Sequence, residues 1–145
     1  LTSLIRQKIL INTEKAQSKQ VNKSNKTFVL YLPENEIPEL GLLFINHQLV
    51  SKGYQSIMLG MSVPLQSLID LKNYYDELIY LSYFTVKPEK DNIRTYIDEF
   101  SKVLIKNSNT KLWILGQMLN ALDLDKLPKG VTAFKSIKSL TSSLK

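Results

Sequence analysis

Apolar and polar positions alternate along this chain in two rhythms. Phe28-Val29-Leu30-Tyr31-Leu32 is an unbroken apolar run, short enough for a strand and continuous enough to be buried on both faces of a parallel sheet. Shorter runs follow at Ser56-Ile57-Met58-Leu59, Leu78-Ile79-Tyr80-Leu81, Leu112-Trp113-Ile114-Leu115 and Val131-Thr132-Ala133-Phe134. Between them the spacing becomes helical. One helix is expected from about Glu39, with Leu40, Leu43, Phe44 and His47 on one stripe, stopping at Lys52-Gly53. Leu65, Leu68 and Ile69 begin a second helix after Pro64, and Ile93, Ile97, Phe100 and Leu104 mark a third. A last one starts near Ser136 and carries Ile137, Leu140 and Leu144.

Strict alternation of strand and helix predicts an α/β fold, a doubly wound, Rossmann-like (flavodoxin-like) five-stranded parallel sheet with flanking helices. Leu1, Leu4, Ile5 and Ile9 also recur near helical spacing, ahead of a segment rich in lysine, serine and asparagine. That helix is too short to stand alone and must dock on something. The expected division is residues 1–25 as a terminal helix plus linker and 26–145 as the α/β domain.

In such a sheet ligands sit beyond the carboxyl ends of the strands, near the switch in strand order. The loops that matter are therefore Pro33 to Pro38, Gly60 to Pro64, Ser82 to Pro88 and Gly116 to Asn120. A phosphoacceptor receiver needs an aspartate after the third strand, where this chain has Ser82-Tyr83-Phe84. A nucleotide site needs a glycine- or hydroxyl-rich first turn to offer backbone N–H groups to phosphate. Here that turn is Pro-Glu-Asn-Glu-Ile-Pro, which is acidic and interrupted by proline. Glu34, Glu36 and Glu39 cluster at this edge, most simply as acids set against a helix N-terminus. The loops supply no nucleophile–base pair, so no enzymatic activity is expected.

Composition adds little beyond this. The chain has 145 residues, 43% of them hydrophobic, enough for one self-sufficient core. It has no cysteine and no apolar run of bilayer length, as expected of a cytoplasmic protein with no membrane contact. The formal charge is +6, but only Arg6 and Arg94 are arginines and the lysines are scattered, which argues against direct DNA binding by this segment.

The residues Pro33-Glu34, Glu39-Leu40-Gly41-Leu42-Leu43, Lys52-Gly53-Tyr54 and Leu59-Gly60-Met61-Ser62-Val63-Pro64 carry a family resemblance. Together they resemble the C-terminal cobalamin-binding-like sensor domain of MerR-family bacterial transcriptional regulators. The likeness covers nearly the whole chain and weakens after Asn120. Leu4-Ile5-Arg6-Gln7-Lys8 looks like the end of the helical bundle that precedes this domain in those regulators. The resemblance implies that a DNA-binding winged helix and most of the bundle lie before Leu1.

That family's cobalamin signature is an acid, a histidine two residues on, and a glycine three further. Glu36 and Gly41 fill the outer positions, but the cobalt-ligating histidine is replaced by Pro38, which has no donor side chain. The serine–x–leucine motif after the third strand corresponds to Ser82-Tyr83-Phe84, with an aromatic residue for leucine. The glycine pair after the fourth strand corresponds to Gly116-Gln117. In the family these small residues leave a slot for the cofactor's nucleotide tail. The implied ligand pocket is thus Glu36, Pro38, Gly41, Gly60, Ser82, Tyr83, Gly116 and Gln117, with no catalytic or metal-binding residue. The resulting expectation is a ligand-sensing or oligomerisation domain of a MerR-type regulator, with cobalamin binding weakened or lost. The alternative is a sensor or carrier domain that holds cobalamin without the lower histidine. Expected partners are a second copy of the chain, a small-molecule ligand, and promoter DNA only through the upstream winged helix.

Overall fold

The structure is a computed structural model, and it describes residues 26–33, 39–60, 62–75, 77–84, 90–106, 108–116, 119 and 124–144. The helix expected over Leu1 to Lys15, the linker after it, the loop holding Glu36 and Pro38, and Gln117 lie outside the described residues.

Five strands form one parallel sheet: β1 (Lys26–Tyr31), β2 (Gln55–Gly60), β3 (Glu77–Tyr83), β4 (Lys111–Leu115) and β5 (Val131–Ala133). Their order is β2-β1-β3-β4-β5, which bears out the doubly wound arrangement. The helices are α1 (Glu39–Ser51), α2 (Leu65–Lys72), α3 (Lys90–Phe100) and α4 (Ile137–Ser142). A single π-helical turn, Ser101–Ile105, continues α3, closed by the N–H of Lys106 donating to the carbonyl of Ser101 at 2.9 Å.

β1 lies inside the sheet, between β2 and β3, and its side chains are apolar in both directions. Val29 and Tyr31 face one core, shared with Leu68 of α2 and with Ile93, Ile97 and Phe100 of α3. Phe28, Leu30 and Leu32 face a second core, shared with Leu42, Ile45 and Leu49 of α1 and Leu140 of α4. The period-two alternation of a strand thus feeds two separate layers. All five residues from Phe28 to Leu32 are at most 1% exposed. At about 1.5–3 kcal/mol for each fully buried large apolar side chain, this strand contributes a large share of the driving force for folding.

One helical face differs from its sequence reading. The stripe expected on α1 was Leu40, Leu43, Phe44 and His47, yet Phe44 is 42% exposed while Leu42, Ile45 and Leu49 are fully buried. The cause is that α1 packs against α4 as well as against β1, β2 and β3, so most of its circumference is covered. With apolar residues nearly all round, periodicity alone could not pick the buried side. The stripe expected on α3 and its π-helical turn faces the core: Ile93, Ile97, Phe100 and Leu104 are each at most 1% exposed.

Candidate functional site

The strand order reverses at β1, which pairs with β2 on one side and with β3 on the other. The crevice of this fold therefore opens beyond the carboxyl ends of β1 and β3. Tyr31 ends β1 and stands opposite Ser82 of β3 and Gly60 of β2, with the β1–β2 register slipping between Leu30 and Tyr31. The chain leaving β1 is pinned there. The N–H of Leu32 donates to Gly60 O at 2.8 Å, and the N–H of Val63 donates to Leu32 O at 3.0 Å.

Each described pocket residue can be placed. Ser82 is fully buried, and its hydroxyl donates to the Tyr31 carbonyl at 2.9 Å, so it serves as a clasp between the two central strands. Tyr83, one residue on and on the opposite face, turns toward α1. A Cβ built on Gly41 would lie 3.3 Å from Tyr83 Cε2 and 3.5 Å from Cδ2, so the tyrosine ring occupies the space the glycine leaves. Gly116, just past β4, approaches the Phe84 backbone so closely that a Cβ there would meet Phe84 O at 2.1 Å. Beside it the Phe84 N–H donates to Leu115 O at 2.6 Å. Gly60 is different: a Cβ there would meet nothing within 4 Å.

Gly41 and Tyr83 are therefore brought into contact, Ser82 and Gly116 serve the sheet, and Gly60 borders open space. Sequence reasoning placed Tyr83 among the pocket residues but gave no reason to seat its ring on Gly41. The signal was available in the pairing of a glycine at the helix start with a bulky residue at the end of a neighbouring strand.

On the other face of the same strand ends lies a buried tyrosine group that sequence reading did not single out. The Tyr31 and Tyr96 hydroxyls are 2.7 Å apart, and the Tyr80 hydroxyl donates to Leu68 O at 2.6 Å. Edge-to-face contacts join Tyr31 to Tyr80, Tyr80 to Phe100 and Phe84 to Tyr96. Burial pushes the Tyr31, Tyr80 and Tyr96 hydroxyls well above the ordinary phenol range, and Tyr31 is raised further by its neighbour Tyr96. These hydroxyls stay protonated at neutral pH and act as structural donors.

His47, the one histidine, is half-buried on α1, and its Nδ1 is buried without a hydrogen-bond partner. Among the described residues no three of His, Cys, Asp and Glu gather as metal ligands would. No described helix is long and apolar enough to cross a membrane.

The family resemblance of the sequence implies cobalamin, so the donor set and the space can be tested against it. Pro38, at the position the resemblance gives to the ligating histidine, has no donor side chain. At the strand ends, the space beside Gly41 holds the Tyr83 ring, the Ser82 hydroxyl is bonded inside the sheet, and Gly116 is pressed on backbone. These residues do not fit a cobalt-ligating histidine site with a slot for a nucleotide tail.

No family model matches the chain, and no curated protein matches it. Solved structures do. The monomethylamine corrinoid protein of Methanosarcina barkeri is similar with a TM-score of 0.67 at 11% identity, over 92% of this chain and 62% of that one. A cobalamin-binding protein from Desulfitobacterium hafniense DCB-2 is similar with a TM-score of 0.59 at 15% identity, over 98% of this chain and 68% of that one. The fold of this chain is that of cobalamin-binding domains.

Proposed function

We propose that this chain is the sensory or oligomerisation domain of a MerR-type bacterial transcriptional regulator in which cobalamin dependence has been weakened or lost. The observation that carries the loss is the Tyr83 ring seated on Gly41, the glycine of the cobalamin signature. Pro38 in place of the ligating histidine points the same way by an independent, chemical route. The resemblance over Pro33 to Pro64 supports the regulator context. On this reading the domain is cytoplasmic and performs no catalysis. It reaches promoter DNA through an upstream winged helix, and changes its association with a second copy in response to a small ligand.

A second reading is favoured by the likeness to a corrinoid protein: a carrier or sensor domain that holds cobalamin by shape alone, with no lower ligand. Titration calorimetry with hydroxocobalamin separates the two. The first reading expects no dissociation constant at micromolar level or below for the natural chain. It also expects partial recovery in Pro38→His with Gln117→Gly, and further recovery when Tyr83→Ala is added. Micromolar binding by the natural chain would overturn the loss and leave the carrier reading standing.

A further inference from the structure

At the end of the sheet opposite the strand-switch crevice, the amino ends of β3, β4 and β5 border a cleft of about 1120 Å³. Its lysines come from three separate segments. Lys102 and Lys106 belong to the turn that ends α3, Lys111 opens β4, and Lys129 precedes β5; Glu77 and Asp98 are the acids. Asp98 is neutralised by Arg94, whose Nε lies 3.3 Å from its carboxylate. Among the described residues the four lysines have no ion-pair partner, so four ammonium groups face a single uncompensated carboxylate, Glu77.

The simplest competing account is that Lys102 and Lys106 complement the negative end of the helix. That need is already met. The carbonyls of Leu104 and Ile105 accept from the Ser108 hydroxyl at 2.8 and 3.0 Å, and Leu104 O also accepts from Lys72 Nζ at 3.0 Å. The capping groups come from outside the lysine set, and among the described residues the four cleft lysines have no ion-pair partner. Like charges held around one concavity repel, and an anion entering it relieves that repulsion.

We infer that this cleft binds a compact polyanion, a chain of linked phosphates such as a nucleoside triphosphate or inorganic polyphosphate carries. Lysine ammonium groups act as point charges with freely rotating donors, suited to phosphate oxygens presented at varied angles. A concavity closed by the loops before β4 and β5 suits a compact ligand better than a duplex, which needs an extended surface. Ile105 and Pro128 add apolar lining, on which a base or sugar could rest. The site is independent of the strand-switch crevice and of any cobalamin question.

Titration calorimetry of the full chain at low ionic strength, with tripolyphosphate and with ATP as probes, tests this. Binding of at least one probe is expected. Lys106→Glu with Lys129→Glu should weaken it by about tenfold or more, since two attractive charges become repulsive. Lys135→Glu with Lys138→Glu changes net charge equally at exposed positions outside the cleft, and should shift affinity by about twofold or less. All the substituted lysines are exposed, and circular dichroism verifies that both variants stay folded. ATP binding tighter than tripolyphosphate marks the source as a nucleotide, and equal binding marks the phosphate chain alone; both support the site. Three results overturn it: no heat with either probe, equal weakening in the two variants, or a short DNA duplex that binds more tightly than both probes.

Discussion

Alanine at Gly116 should cost the domain far more than alanine at Gly60, although one glycine ends β2, the other follows β4, and both have positive φ. Gly60 has φ 90° and Gly116 has φ 118°, so each alanine pays a backbone penalty of about 1–3 kcal/mol. At Gly60 nothing else is lost, because the new methyl enters open space. At Gly116 it would stand 2.1 Å from Phe84 O and 2.7 Å from Phe84 N, inside any permissible contact. The ends of β3 and β4 must then part. Relieving such overpacking costs about 1–3 kcal/mol. Losing the Phe84 to Leu115 hydrogen bond adds about 0.5–1.5 kcal/mol. Gly116→Ala should therefore be less stable than Gly60→Ala by about 2–4 kcal/mol, a large part of the 5–15 kcal/mol typical of a domain. Urea unfolding followed by circular dichroism reads the difference as a midpoint gap of about 1–2 M, for a slope near 2 kcal/mol per molar. A gap below about 0.3 M would refute the close approach. It would restore the alternative that Gly116 is small to leave room for a ligand.

Two further outcomes follow from burial and from the leading apolar stripe. Tyr31, Tyr80 and Tyr96 hold their protons in the folded state above the pH of about 10 at which an unfolded tyrosine ionises. Their contribution to stability is complete below that pH and lost as pH rises beyond it. Ionisation of these three tyrosines should thus coincide with loss of far-UV circular dichroism; their ionisation near pH 10 with the fold intact would contradict it. Leu4→Glu with Ile5→Glu should convert an oligomer to a folded monomer by light scattering, if that stripe is a contact surface; a chain always monomeric and globally destabilised by the change would show that it packs within the chain.

Much of the architecture was legible because burial on both faces leaves a mark that needs no partner to interpret. The run Phe28 to Leu32 could hardly be anything but a central parallel strand. The same logic failed on α1, where near-uniform apolarity erased the phase and Phe44 was assigned inward. The π-helical turn after Phe100 left no trace in the sequence, because it is an adjustment of hydrogen bonding that keeps the stripe of α3 facing its core. At the candidate site, glycines were readable as places of close approach, but what approached them was not. Gly116 meets backbone and Gly41 meets an aromatic ring, and only the folded chain distinguishes a filled space from an open one. The basic cleft shows the same limit in electrostatic form. Lys102, Lys106, Lys111 and Lys129 look scattered along the chain because the three segments that carry them meet only when β4 and β5 pair beside β3.

The position of β1 also governs how the chain can assemble as it is made. Its residue Thr27 bonds to Gln55, twenty-eight positions later, and Tyr31 accepts from Ser82, fifty-one positions later. No local hairpin can shelter this strand, since parallel neighbours require a full crossover. At a synthesis rate of about 5–20 residues per second, the segment emerges roughly 3–10 s before β3 exists to cover its second edge. During that interval Phe-Val-Leu-Tyr-Leu is an uncharged, proline-free window with at least one edge unpaired, the composition that drives strand-to-strand aggregation. The lysine-rich stretch immediately before it supplies flanking charge, so solubility of the nascent chain depends on the sequence neighbours of this strand.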